Sequence, residues 1–248
     1  MTAAPALAVE QRIVTLETRP GVTLKVLITT PDEPPVAALI MLPGGQGANH
    51  FREQDGAIRS SGNFLLRVNR ALAGRGFLTA VMDVPSDRAG GTDDAFRTGP
   101  EHLVDVAAVR DHLRGIGEMP HVVIGTSRGT LSAAHIGINM PDLRAVLLTS
   151  SIAPVLNLPL DQLAPPLLVV HHVNDTCRIT PFQVARDIYD RATATPRKNL
   201  FEVEGGDPPR QADPCEALTA HGFLGREESV VGAMTDWLRE TLAAPQTP

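Results

Sequence analysis

Continuous apolar runs alternate along the chain with segments of helical periodicity. The apolar runs lie at 37–42, 77–84, 121–124, 145–148, 166–172 and 199–203. Such runs are typical of strands that are buried on both faces. The segments predicted as helices lie at 63–73, 101–116, 129–138 and 227–242. This alternation predicts an α/β fold, a mostly parallel sheet covered by helices on both faces, in which ligands bind at the carboxyl ends of the strands.

Two earlier apolar segments, 13–16 and 22–28, flank Arg19-Pro20-Gly21 and predict an antiparallel hairpin. Because the alternation runs from end to end, we expect residues 1–248 to form one domain. Only 149–165 separates two consecutive strands where a helical cap would be inserted, so we expect no large cap.

Two loops, 48–62 and 85–99, are then expected to border the ligand site. The second loop carries Asp87, Arg88, Asp93, Asp94 and Arg97. It is expected to be a solvated charged loop, with substrate contact as the alternative.

Composition limits the classes of partner that this chain is expected to bind. The 248 residues carry a formal net charge of −6. No run of lysine and arginine is present, which argues against nucleic acid or an anionic membrane as the partner. No apolar stretch approaches the ~20 residues of a membrane-spanning helix. A small-molecule substrate is the expected partner, no cofactor or metal is expected, and the oligomeric state stays open.

The segment Gly125-Thr126-Ser127-Arg128-Gly129 lies between a predicted strand and a predicted helix. A serine on such a sharp turn needs small residues two positions away on either side, because larger side chains would collide with the strand and the helix. The turn is expected to expose the hydroxyl of Ser127 as a nucleophile. The alternative is a serine that only caps the helix.

An acid and a histidine follow the serine in the order that this architecture uses. Asp175 comes shortly after the strand 166–172, and His221 lies between the last strand and the last helix. The carboxylate would fix the tautomer of the imidazole, which would accept the serine proton. Asp175 as a helix cap and Asp161 as the acid are the alternatives. His171 and His172 are expected to be structural or part of the wall of the site. His50 is expected to be solvated or in contact with substrate, and the remaining histidines to lie on the surface or in the core.

Three sets of residues carry a resemblance to the serine hydrolases of the α/β-hydrolase fold. These are the pentapeptide around Ser127, Asp175 with His172 before it and Pro181 after it, and His221-Gly222-Phe223. The pattern covers nearly the whole chain and is most similar to small bacterial dienelactone hydrolase-like and serine aminopeptidase-like proteins. Dienelactone hydrolases use cysteine as nucleophile, so that activity is not implied here.

The resemblance also implies an oxyanion hole built from two backbone amides. One donor would be Arg128 N–H, and the other Gly45 or Gln46 N–H in the segment after the strand 37–42. The family usually has histidine before the first glycine, where this chain has Pro43. A phosphate-binding loop would need lysine and serine or threonine directly afterwards, and neither is present.

The chain has two cysteines, Cys177 beside the proposed acid and Cys215 before the proposed base. If Asp175 and His221 are hydrogen-bonded, the cysteines could form a disulfide; two separate reduced thiols are the alternative. The start of the chain lacks a basic segment followed by an apolar core. The compartment therefore stays open: cytoplasmic if the chain is complete, or exported or periplasmic if a leader was removed and the disulfide forms.

The sequence thus predicts a serine hydrolase that cleaves an ester of a small or exposed acyl substrate through an acyl-enzyme. A peptidase or thioesterase would use the same residues. A ligand-binding protein without activity, and a lyase or cofactor-free oxygenase on the same scaffold, are the alternatives from other classes.

Overall fold

The computed structural model describes residues 9–244. The expectation about a leader rests on residues that lie outside this range. The strands are β1 (Glu10–Arg19), β2 (Val22–Thr30), β3 (Ala38–Leu42), β4 (Arg52–Gln54), β5 (Ala57–Arg59), β6 (Leu78–Pro85), β7 (His121–Thr126), β8 (Ala145–Thr149), β9 (Leu167–His172) and β10 (Lys198–Val203). The helices are α1 (Phe64–Ala73), α2 (Asp94–Arg97), α3 (Pro100–Ile116), α4 (Gly129–Asn139), α5 (Phe182–Arg191) and α6 (Glu227–Ala243).

Eight strands form one sheet in the order β1-β2-β6-β3-β7-β8-β9-β10. Strands β1 and β2 make the predicted hairpin, and β2 also pairs antiparallel with β6. The pairings from β6 to β10 are parallel. The carboxyl ends of β3, β7, β8 and β9 therefore lie along the same side of the sheet, where the sequence placed the ligand site.

The core is divided by the sheet into two layers. Helices α3, α4 and α5 pack on one face through residues such as Val109, Ile136 and Ile188. Helices α1 and α6 pack on the other face through residues such as Leu65 and Met234. Alternate side chains of β3 point into the two layers, which explains why all five of its residues are buried and why it reads as a continuous apolar run.

The predicted loops contain more structure than the sequence analysis gave them. The loop 48–62 carries the hairpin β4–β5, and its turn has Asp55 and Gly56 at positive φ. Asp-Gly is a strong hairpin signal that identifies this turn. The segment 149–165 holds only the short 3₁₀ helices Ala153–Asn157 and Leu160–Gln162, as expected for a chain without a large cap. Among the described helices, none is both long and apolar enough to cross a membrane.

Candidate active site

Ser127 occupies the turn between β7 and α4, where its φ is +51°. Two close contacts explain the flanking glycines. A Cβ on Gly125 would lie 2.3 Å from the carbonyl oxygen of Gly129, and a Cβ on Gly129 would lie 1.9 Å from that of Leu42. The structure therefore contains the close contacts that were expected to require glycine at these two positions.

The backbone of Ser127 is held on both sides. Its N–H donates to the Thr149 carbonyl at the end of β8, and its carbonyl accepts from Thr130 Oγ1 at 2.6 Å. The residue is only 9% exposed, so it is recessed rather than prominent. Among the described residues, no hydrogen bond engages its hydroxyl, and none joins it to His221.

Asp175 and His221 form a buried pair, although 46 positions separate them in the chain. His221 Nδ1 lies 2.9 Å from Asp175 Oδ2, and the second carboxylate oxygen accepts from Cys177 N–H at 2.9 Å. Because a carboxylate can only accept, the proton lies on Nδ1, and Nε2 keeps its lone pair. The competing acid, Asp161, is exposed in the 3₁₀ helix Leu160–Gln162.

Thr180 is a polar residue of this site that the sequence analysis missed. It is fully buried, and its hydroxyl donates to Asp175 Oδ2 at 2.9 Å. The hydroxyl oxygen of Thr180 also lies 3.2 Å from His221 Nδ1. The only sequence signal was its position between the acid and the start of α5. Thr180 therefore fixes the carboxylate oxygen that also meets the imidazole.

His171 packs against the same group from the end of β9. Its Nε2 donates to the Thr180 carbonyl at 2.9 Å and lies 3.6 Å from Asp175 Oδ2. Burial lowers its pKa, so the ring is neutral at pH 7. The expectation that His171 is structural or part of the wall of the site agrees with this position.

The segment that carries His221 is tied to β8 and to α1. Ser150 Oγ donates to the His221 carbonyl at 2.7 Å, one residue beyond the Thr149 carbonyl that holds Ser127. Arg67 Nη2 donates to the Gly222 carbonyl at 2.6 Å. Ser127 and His221 are thus anchored on adjacent residues at the carboxyl end of one strand.

Residues 43–47, the glycine-rich segment that follows β3, approach Ser127 closely. A Cβ on Gly44 would lie 2.8 Å from the Cβ of Ser127. Gly47 N–H donates to the Gly44 carbonyl at 3.1 Å and closes a turn. Within the described part of the chain, the amides of Gly45, Gln46 and Arg128 donate to no backbone or side-chain acceptor.

Arg97 differs from its expected environment. It ends α2 within the loop 85–99, yet only 3% of it is exposed. Its Nη2 donates to the Gly45 carbonyl at 3.1 Å. The expectation of a wholly solvated charged loop was wrong for this residue, because its side chain turns inward beneath the glycine-rich segment.

The two cysteines form a disulfide, Cys177–Cys215, with a sequence separation of 38. The bond links the segment that carries Asp175 to the segment that leads to His221.

One donor atom each from Asp175, Cys177 and His221 lies within 4.8 Å of the others, an arrangement that resembles a metal site. The Cys177 sulfur is bonded to Cys215, whereas a metal requires a thiolate, so these residues do not form a zinc ligand set.

Comparisons with known proteins support the architecture. No protein-family model and no curated protein matches the chain. A cold-adapted esterase from an Arctic intertidal metagenomic library has a similar structure, with 17% sequence identity, a TM-score of 0.64 and coverage of 97% of this chain and 96% of the esterase.

Two further solved structures cover nearly all of the chain. An α/β serine hydrolase without a lid from Xanthomonas campestris is 17% identical, with a TM-score of 0.68 and coverage of 98% of this chain and 100% of that protein. A dienelactone hydrolase from Anabaena variabilis is 14% identical, with a TM-score of 0.65 and coverage of 94% and 98%. The chain therefore has the α/β-hydrolase fold, as the sequence predicted.

Reduction of the disulfide should destabilise the protein. On the chain-entropy estimate, a closed loop of this length contributes about 4 kcal/mol, so reduction or the double change Cys177→Ser, Cys215→Ser should lower the melting temperature by roughly 10 °C. Thermal unfolding with and without reductant measures the effect, and the double variant is the control that should not respond to reductant. Two alkylatable thiols in the native oxidised protein would contradict the bond.

Proposed function

We propose that this protein is a serine hydrolase that cleaves an ester bond in a small or exposed acyl substrate through an acyl-enzyme. The observation that carries the proposal is the buried hydrogen bond of 2.9 Å between Asp175 and His221. It is made at the carboxyl ends of the parallel strands, where Ser127 has a left-handed backbone conformation. A buried carboxylate paired to an imidazole whose other nitrogen keeps its lone pair is suited to general-base catalysis.

In the proposed reaction, Ser127 Oγ attacks the acyl carbon while His221 Nε2 takes its proton. The resulting tetrahedral anion collapses, the C–O bond to the leaving group breaks, and His221 returns the proton to the alcohol. Water then attacks the acyl-enzyme with the same proton transfers, releasing the acid and restoring Ser127. Asp175 stabilises the imidazolium that forms in each step.

The oxyanion would be bound by the amides that have no acceptor in the described structure. Arg128 N–H follows the proposed nucleophile directly and stands at the start of α4, where the helix dipole favours negative charge. Gly45 and Gln46 supply the second candidate N–H from a segment that approaches Ser127. Backbone donors suffice for this role, so Pro43 in place of the usual histidine does not conflict with it.

The choice of an ester as the bond cleaved rests on the neighbours. Solved structures of similar fold include proteins described as esterases, and a protein described as a serine hydrolase without a lid. The short segment between β8 and β9 leaves no room for a large cap, which favours small or exposed acyl groups. Labelling by a fluorophosphonate at Ser127 distinguishes this proposal from a ligand-binding protein without activity.

Replacement of the proposed nucleophile should abolish turnover. Ser127→Ala should lower kcat for p-nitrophenyl acetate by about three decades or more, and adding His221→Ala should cost little further, because the members of a triad act as one unit. Steady-state kinetics of the single and double variants measure both effects. Turnover by Ser127→Ala within about tenfold of the parent would contradict the assignment.

The two candidate acids allow a matched test. Asp175→Asn should lower kcat strongly with little change in KM, because the amide no longer stabilises the imidazolium. Asp161→Asn is the control and should leave kcat unchanged, since Asp161 is exposed outside this network. The reverse result would transfer the role of acid to Asp161.

Thr180 offers a test of the carboxylate's orientation. Thr180→Val removes the hydroxyl that donates to Asp175 Oδ2 at 2.9 Å and should lower kcat roughly ten- to hundredfold, the equivalent of one lost hydrogen bond to a charged group. Thr180→Ser keeps the hydroxyl and should retain most of the activity. Retained activity in Thr180→Val together with a loss in Thr180→Ser would mean that packing by the methyl group, not the hydrogen bond, is what matters.

A further inference from the structure

Arg97 is a buried cation without a buried anion beside it. Its guanidinium donates to the Gly45 carbonyl at 3.1 Å and to Ser132 Oγ at 3.2 Å, while its Nε has no hydrogen-bond partner. Among the described residues, no carboxylate forms an ion pair with it. The nearby carboxylate of Asp94 is engaged by Arg128 at 2.6 Å.

The electrostatic surroundings of Arg97 are unfavourable to its charge. Burial, together with the positive charge of Arg128, lowers the pKa of Arg97 to about 10. The side chain therefore stays protonated at neutral pH, in a place that solvent hardly reaches and where the carboxylate of Asp94, which is bound to Arg128, offsets the charge only in part. Folding alone does not favour such an arrangement, since a neutral side chain would avoid the desolvation cost.

The guanidinium of Arg97 lies against the backbone of the glycine-rich segment. It donates to the carbonyl of Gly45, a glycine with φ +59°, and so adds a constraint to a residue whose backbone has more conformational freedom than that of other residues. Thr92, from the same loop as Arg97, holds the next carbonyl, that of Gln46, through its N–H at 2.8 Å. The carbonyls of Gly45 and Gln46 are thus both held by the loop 85–99, and the amides of the same two residues have no acceptor in the described part of the chain.

We propose that Arg97 is a positioning residue for the oxyanion-binding segment and that its fixed charge stabilises the anionic tetrahedral intermediate. This inference rests on the proposed function. An anion bound by the amide of Gly45 or Gln46 would lie within roughly 10 Å of the guanidinium. At an effective dielectric constant of about 20, a unit charge at that distance is equivalent to a roughly tenfold change in rate.

A purely structural role makes a different prediction. If Arg97 only ties α2 to α4, then its loss should lower the melting temperature, and loss of its α4 partner through Ser132→Ala should have a similar effect. If its charge serves the oxyanion, then neutralising it removes a desolvation cost, so that the stability holds or rises while catalysis falls.

The experiment compares the parent with Arg97→Gln, Arg97→Met and the matched control Ser132→Ala. For each protein, kcat and KM for p-nitrophenyl acetate, the inhibition constant of an alkyl boronic acid and the melting temperature are measured. The boronic acid forms a tetrahedral anion on the serine and so reports on oxyanion binding. For both Arg97 variants we expect kcat and boronate affinity to fall together by roughly tenfold or more, with KM within about threefold of the parent and an unchanged or higher melting temperature.

Each result decides the question. Ser132→Ala should stay within about threefold of the parent in kcat and boronate affinity, because it leaves both the charge and the Gly45 contact in place. Folded Arg97 variants with parental boronate affinity, or Arg97 variants that fail to fold, would overturn the inference and leave the proposed function standing. A parent that neither hydrolyses the ester nor binds the boronate would contradict the proposed function, and the inference with it.

Discussion

The close approach of α4 to the end of β3 is the contact on which the geometry of the site depends. The Cα of Gly129 comes so near the Leu42 carbonyl that no side chain fits between them. Leu42 ends β3 and leads directly into the glycine-rich segment, while Gly129 begins the helix that follows Ser127. One backbone contact therefore sets the distance between the two segments that the proposed mechanism needs together. A second close approach, between Gly44 and the Cβ of Ser127, leaves little freedom for either segment to shift.

The other half of the site is held by polar groups rather than by backbone contact. The carboxylate of Asp175 accepts hydrogen bonds from the Thr180 hydroxyl, the Cys177 N–H and His221 Nδ1. The disulfide joins the segment that carries the acid to the segment that leads to the histidine. A buried carboxylate is costly unless its oxygens are hydrogen-bonded, and here both oxygens accept. The stability of this network and the tautomer of His221 therefore have the same origin. Ser150 ties the histidine segment to β8, next to the carbonyl that holds Ser127, and so links the two halves.

Much of the fold and the contact between Asp175 and His221 could be predicted from the sequence. Apolar runs marked the parallel strands, because those strands are buried on both faces, and the glycines around Ser127 marked a turn that tolerates no Cβ. Arg97 and Thr180 could not be found in this way. Both roles depend on which backbone carbonyl or carboxylate a side chain meets across the fold, and a charged loop has the same composition whether one arginine turns inward or outward. The hairpin β4–β5 was missed although Asp55-Gly56 signals it.

The charge of the whole chain gives no guide to the potential at the site. The net charge is −6, yet Arg97, which is buried, and Arg128 both lie close to the glycine-rich segment, with Asp94 paired to Arg128. Surface acids are screened by solvent, whereas a buried guanidinium is screened much less. At the glycine-rich segment, the buried guanidinium of Arg97 is therefore expected to contribute more to the potential than an acid on the distant surface. A reaction that develops negative charge at this point would be favoured, and the desolvation cost of Arg97 is what a site selected for catalysis rather than for stability would retain.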